Sequence, residues 1–158
     1  MSYYEIPVTV YRKVNGEPTK MTINSTEIVP GDLMEIPDGY IMPCDCVVLN
    51  GSCIMNESML TGESIPVAKY ALPYHDVKYS SRDDKMHTLY AGTKCIQTRY
   101  YEEKAVLGLV TLTGFSTVKG DLIRTMLYPK PSDFKFYSDA FKFLLILLVI
   151  AVCGKQLV

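Results

Sequence analysis

Ile6-Pro7-Val8-Thr9-Val10-Tyr11, followed by Asn15-Gly16 and then Met21-Thr22-Ile23, is the stretch whose pattern decides the fold. Apolar residues at 6, 8 and 10 alternate with Pro7, Thr9 and Tyr11, and Met21 and Ile23 resume the same period of two. Such alternation sends one face of a strand to a core and the other to water. Asn-Gly between two alternating runs predicts a hairpin, because both residues accept the positive φ of a tight type I′ turn. Pro18 lacks the N–H that a second neighbouring strand would need, which places the return strand at a sheet edge.

The same grammar continues outward. Pro30-Gly31-Asp32 predicts a turn before a short strand from Leu33, Asp38-Gly39 a further turn, Val47-Val48-Leu49 a buried strand, and Asn50-Gly51 a turn before Cys53-Ile54-Met55. Turn signals about 8–16 residues apart fit a small β-sandwich or barrel. Residues 71–86, with Pro73, Asp76, Ser80, Ser81, Arg82, Asp83, Asp84 and Lys85, read as a solvated surface loop. Strand character returns at Leu89-Tyr90-Ala91, at Cys95 to Tyr100, and at Ala105 to Leu112, where Gly108 is expected to break the run.

The period then changes. Val118, Leu122, Ile123, Met126 and Leu127 follow the spacing of an amphipathic helix, with Ser116 or Thr117 available to cap it and Pro129 to end it. Pro129-Lys130-Pro131 is a stiff spacer. Phe143 to Cys153 contains no polar residue. At about 1.5 Å per residue that run makes roughly 16 Å of helix, against a bilayer core of about 30 Å. Extension through Phe136 to Phe141, with Lys142 reaching outward, would lengthen it. The lack of a polar face favours the start of a transmembrane helix over a core helix.

Composition bounds the function. The chain has 158 residues, 16 Lys plus Arg, 17 Asp plus Glu and a net charge of −1, so it lacks the basic excess that phosphate backbones demand and no nucleic-acid partner is expected. The hydrophobic fraction of 48% and mean hydropathy of +0.10 exclude an intrinsically disordered chain. Five cysteines, an odd number without C-x-x-C, and two histidines argue against a disulfide framework or a structural zinc site. Cys44-Asp45-Cys46 has the wrong ligand spacing and is expected to be two cysteines flanking Asp45 on one strand, so no metal is assigned. The N-terminus has neither a basic nor an apolar signal region. The sequons at Asn24, Asn50 and Asn56 are expected to be chance matches.

The chemistry-bearing stretch is Asn56-Glu57-Ser58-Met59-Leu60-Thr61-Gly62-Glu63-Ser64-Ile65-Pro66-Val67. Thr61-Gly62-Glu63-Ser64 is expected to be a tight loop between two buried anchors, Met59-Leu60 and Ile65. Gly62 removes a side chain so that the backbone can approach another surface. Glu63 projects from the tip as a candidate general base for water, with Thr61 and Ser64 as hydroxyl support. Glu57 is expected to be structural, satisfying backbone donors beside the loop.

Continued through Ala68-Lys69, and together with Val29-Pro30-Gly31-Asp32, Ile41-Met42-Pro43-Cys44-Asp45 and Thr113-Gly114-Phe115-Ser116-Thr117, this stretch resembles the actuator domain of P-type ATPases over nearly the whole chain. Asn50 to Ser58, His87 to Thr93, Ile96 to Arg99 and Leu127 to Lys135 resemble the P5B subclass. The resemblance implies a mainly β, small distorted sandwich of jelly-roll type over 1–114, a linker helix and Pro spacer over 115–135, and a truncated transmembrane helix over 136–158. It implies that Glu63 activates the water that hydrolyses an aspartyl phosphate, with Thr61, Gly62 and Ser64 shaping the loop. The partner would be the phosphorylation domain of the same polypeptide, and the membrane would be engaged through 136–158.

The P5B resemblance implies a late endosomal or lysosomal membrane and, from the members with a known substrate, polyamine transport, which would leave residues 1–135 cytosolic. ATP and Mg²⁺ are implied for the complete pump and none is bound by this chain. No Asp-Lys-Thr-Gly-Thr motif occurs here, so the chain is expected to be a fragment, a truncated product or an incomplete gene model, inactive alone. The alternatives are a fragment of the sister transmembrane-helix dislocase or of another cation pump, or a non-catalytic β-rich interaction or regulatory module.

Overall fold

Alternating side chains become a two-sheet core in the computed structural model, which describes residues 5–14, 16–74, 79–81, 83–100, 105–129 and 135–156. Nine strands are present among the described residues: β1 (Pro7–Val14), β2 (Glu17–Asn24), β3 (Leu33–Ile36), β4 (Asp45–Val48), β5 (Ser52–Asn56), β6 (Val67–Tyr70), β7 (Thr88–Leu89), β8 (Lys94–Arg99) and β9 (Val106–Leu112). The helices are α1 (Ser58–Thr61), α2 (Val118–Leu127) and α3 (Lys135–Gln156). The chain divides into two compact units, with the break after Arg124.

One sheet runs β2-β1-β3-β9-β4-β7 and the other β6-β5-β8, with every pairing antiparallel. The chain is mainly β, as the alternation predicts. β1 and β2 pair from Pro7↔Asn24 to Val14↔Glu17, and β2 is an edge strand, where Pro18 belongs. Gly16 in the connecting turn has φ +91°, which only glycine adopts without strain. Asn15 lies outside the described residues.

The core takes Val8 and Val10 from β1, Met34 and Ile36 from β3, Cys46 and Val48 from β4, and Val106 and Val110 from β9. The second sheet contributes Cys53, Met55 and Cys95. Burying one such aliphatic side chain stabilises the fold by about 1.5–3 kcal/mol.

Three local expectations need correction. β9 runs unbroken through Gly108, because the space a side chain would fill there is taken by Cys46 Sγ at 2.9 Å and Ile36 Cδ1 at 3.0 Å. β4 ends at Val48, and Leu49 is exposed. The described part of 71–86 is irregular but tied down: Leu72 N–H donates to Val48 O at 2.8 Å, and the Tyr79 hydroxyl lies 2.9 Å from Thr88 Oγ1. His75, Asp76 and Arg82 lie outside the described residues.

α2 starts where the sequence places it, and Thr117 is its cap, Oγ1 accepting from Gly120 N at 3.0 Å. Val118 and Leu122 of its apolar stripe are nevertheless exposed, and Gly120 is the residue of α2 that is buried. A Cβ at Gly120 would lie 2.6 Å from Phe115 Cα, so backbone packs on backbone at this joint. Lys130 and Pro131 of the spacer lie outside the described residues. α3 exposes Phe143 to Ile150. Among the described residues no helix is long and apolar enough to cross a membrane.

Candidate functional site

The loop grows out of β5 and returns into β6. Asn56, the last residue of β5, turns its Oδ1 to accept from Ser58 N at 2.9 Å, which starts the single turn of α1. The Glu57 carbonyl accepts from Leu60 N and Thr61 N, both at 2.9 Å, and from Thr61 Oγ1 at 3.2 Å. Gly62 closes the turn in the left-handed region at φ +77°, its N–H donating to Ser58 O at 2.9 Å. This is a helix C-terminus finished by a left-handed glycine. A Cβ at Gly62 would meet nothing within 4 Å, so the backbone angle rather than crowding within this chain requires glycine.

Thr61 Oγ1 also accepts from Glu63 N at 3.2 Å. One hydroxyl therefore donates backward to Glu57 and receives from the residue whose carboxylate forms the tip. Thr61, Gly62, Glu63 and Ser64 are all exposed. Among the described residues the Glu63 carboxylate has no hydrogen bond or ion pair, and the Ser64 hydroxyl has none either. A carboxylate so placed can take a proton from a water molecule brought to it.

The loop is not seated on buried apolar neighbours. Met59 is 80% exposed and Ile65 75% exposed, and Leu60 is only partly covered, which corrects the expectation of two apolar anchors. The anchor is polar and lies one step further out on each side. Glu57 Oε1 sits 2.8 Å from Lys69 Nζ, with the side chains 9% and 2% exposed. Lys69 Nζ also donates to Lys85 O at 2.8 Å and lies 5.1 Å from the centre of the Tyr90 ring. Glu57 is thus structural, but its carboxylate meets an ammonium and not backbone donors, and the contact is a charge pair: Glu57 Oε1 has no hydrogen-bond partner among the described residues. A buried charge is tolerated only when paired in this way.

Two further carboxylates organise the domain. Asp45 Oδ1 accepts from Ala91 N at 2.7 Å and Oδ2 from Val118 N at 2.9 Å, so a core residue of β4 holds the first N–H of α2. Burial pushes its carboxyl above the usual range, against the lowering effect of those two amides. Asp32 takes the Arg12 guanidinium on both oxygens, at 2.8 and 2.6 Å, and Val29 N at 3.0 Å. The Arg12 hydrogen bond, helped by Val29, holds Asp32 below the usual carboxylate range. The pairing of Lys69 with Glu57 and the cap made by Asp45 were missed in the sequence, although Lys69 closes the motif that carries the resemblance. A lone lysine after an apolar residue and an aspartate between cysteines carry no local signal of a distant partner.

Cys44 and Cys46 are buried in the core. Burial pushes the Cys44 thiol up to about 12 and raises Cys46 as well, so both are protonated at neutral pH. Among the described residues no group of three or more His, Cys, Asp or Glu could hold a metal ion.

The family profile described as the P-type ATPase actuator domain matches residues 5–127. The mouse protein named Polyamine-transporting ATPase 13A3 is 55% identical over 141 residues, 84% of this chain. The human Polyamine-transporting ATPase 13A2 is 47% identical over 133 residues, also 84% of this chain. The Caenorhabditis elegans Probable cation-transporting ATPase catp-6 is 47% identical over 145 residues, 90% of this chain. The chain spans 12%, 11% and 11% of the lengths of these three relatives.

Proposed function

Because this chain belongs to the P-type ATPase actuator-domain family, in line with the P5B subclass, we propose that its Thr61-Gly62-Glu63-Ser64 loop hydrolyses the aspartyl-phosphate intermediate of an ATP-driven polyamine pump. The observation that carries the proposal is Glu63 itself, a carboxylate without a partner among the described residues, at the exposed apex of a left-handed glycine turn whose base is buried. The names of the relatives supply the cargo class.

Each loop residue has a distinct task. Glu63 accepts the proton of the attacking water as the water oxygen bonds to phosphorus, and the bond from phosphorus to the aspartyl oxygen breaks, which releases inorganic phosphate and leaves the aspartate as a free carboxylate. A carboxylate is repelled by phosphoryl oxygens, so it addresses the water and leaves the phosphate to other groups. Thr61 fixes the main chain on either side of Gly62 through its two hydrogen bonds. Gly62 permits the reversal of direction that lifts Glu63 clear of the sheet. Ser64 offers an exposed hydroxyl beside the tip.

Among the described residues no group of three or more His, Cys, Asp or Glu could hold a metal ion. ATP and Mg²⁺ belong, in this proposal, to other domains of the complete pump. The phosphorylation domain is the partner surface for the loop, late endosomes or lysosomes the location, and 136–158 the start of a membrane helix. The exposed apolar side chains of α3 support that last assignment, because a helix apolar on every face needs a non-aqueous surround. The boundaries 1–114, 115–135 and 136–158 are part of the same proposal.

The test is the steady-state fraction of phosphoenzyme in the full pump carrying this segment, supplied with ATP and a polyamine. Glu63→Gln is expected to raise that fraction to near saturation while polyamine-stimulated ATP hydrolysis falls. A phosphoenzyme level equal to that of the unmodified pump would overturn the role of Glu63. Turnover that ignores polyamines but responds to another cation would overturn the cargo.

A further inference from the structure

We infer that Lys69, through its buried ion pair with Glu57, is a positioning residue for the water-activating loop, setting where Glu63 stands rather than merely holding the sheet together. The inference rests on the dephosphorylation role proposed for that loop. Cross-strand pairing between β5 and β6 ends at Met55↔Val67. Beyond that rung the chain leaves the ladder, and every residue from Thr61 to Pro66 is exposed. Among the described residues none buries the tip, so its direction is set at its base.

At that base Glu57 acts twice. Its carbonyl gathers three donors that shape α1 and hold Thr61. Its carboxylate meets Lys69 Nζ at 2.8 Å. Among the described residues this ion pair is the one polar side-chain link between the first turn of α1 and β6. Lys69 is itself fixed by Lys85 O at 2.8 Å and by the Tyr90 ring at 5.1 Å, so the ammonium cannot follow Glu57 if the loop tilts. A rigid cation at one end of the excursion thus fixes the main chain from which Glu63 departs a few residues later. Displacement of a catalytic group by about 1 Å can cost about 100-fold in rate.

The experiment separates hydrolysis from reversal in the full pump. Phosphoenzyme is formed with ATP and then chased either in buffer alone, where decay needs activated water, or with ADP, where the phosphoryl group returns to nucleotide without water. The variants are Glu57→Gln, Lys69→Met and the apolar pair Glu57→Leu/Lys69→Met, with Glu63→Gln alongside and thermal unfolding of each as a control for folding. Replacing both partners of a buried pair by apolar groups of similar size restores stability in general. The apolar pair is therefore expected to fold, to form phosphoenzyme and to reverse with ADP at the normal rate, yet to hydrolyse about 10- to 100-fold more slowly.

Normal hydrolysis by the folded apolar pair would overturn the inference, as would equal slowing of hydrolysis and of ADP reversal. Loss of fold in all the pair variants would overturn it too, because the pair would then serve the domain and not the loop. If Glu63→Gln decays normally, the dephosphorylation role itself fails. If Glu63→Gln is arrested while the apolar pair is not, only the positioning role of Lys69 fails.

Discussion

The base of the Thr61–Ser64 loop and the joint at the start of α2 are each held by one buried carboxylate, and the two are satisfied in opposite ways. Glu57 faces an ammonium at 2.8 Å. Asp45 faces two backbone amides, Ala91 N at 2.7 Å and Val118 N at 2.9 Å. Amides belong to the chain and cannot swing away, so the joint at α2 is fixed by main chain, reinforced by the contact of Gly120 with Phe115. Lys69 is a side chain reaching across from a neighbouring strand, so the loop base is fixed by a link that a single substitution can cut. The attachment of the exit helix is therefore built for stiffness. The attachment of the loop rests on a side-chain ion pair.

The largest effect expected from breaking this contrast is at the ion pair. Lys69→Met leaves Glu57 buried without a partner and should lower the unfolding free energy of the chain by about 3–5 kcal/mol, measured by urea denaturation. Adding Glu57→Leu should recover most of that loss. Next is Asp45→Ala, which strands the buried Ala91 N–H and removes the acceptor of the Val118 N–H, and should cost about 1–3 kcal/mol. Faster hydrogen exchange at Val118 N–H than at the strand amides of β4 would report the fraying of α2.

Smaller effects sharpen the comparison. Gly120→Ala forces a side chain against the Gly114 carbonyl and Phe115 Cα and should cost about 1–3 kcal/mol. Gly62→Ala meets no neighbour and should cost about 1–2 kcal/mol from its positive φ alone, by the same denaturation measurement.

The two aspartates should also divide in their response to acid. The Arg12 hydrogen bond keeps the folded pKa of Asp32 below its unfolded value of about 3.9. The stability it adds is complete above that unfolded value and is lost as pH falls through the folded one. Burial raises the folded pKa of Asp45, so acidifying through that raised value relieves the fold of a penalty on the charged form. Asp32→Asn should flatten the acid decline in unfolding free energy, and Asp45→Asn should steepen it. A change of slope in the same direction for both would contradict these assignments.

Much of the framework was legible because period-two alternation and glycine turns are local signals. Val8, Val10, Met34 and Ile36 face the core as their spacing requires, Pro18 sits on an edge strand, and Thr117 caps α2. The tip was legible as well, since an apolar-flanked Thr-Gly-Glu-Ser places a carboxylate next to the one residue that accepts φ near +77°. What supports the tip was not. Met59 and Ile65 look like anchors by hydrophobicity, yet they are exposed, because the excursion leaves the sheet before reaching them. The partner of Glu57 lies on the returning strand, and Asp45 reaches a helix far along the chain. Such pairings depend on the register of folded strands, which no local pattern encodes. Gly108 misled for a related reason, since the space it leaves is filled from β3 and β4.

In the proposed function the Glu63 carboxylate prepares water to break an acyl phosphate. Single-turnover decay of phosphoenzyme in the full pump tests it most directly, with unmodified and Glu63→Gln proteins chased in the presence and absence of ADP. Loss of a general base should slow the water-dependent decay by about 100-fold or more while leaving the ADP-dependent decay unchanged. Equal water-dependent rates in the two proteins would contradict the account.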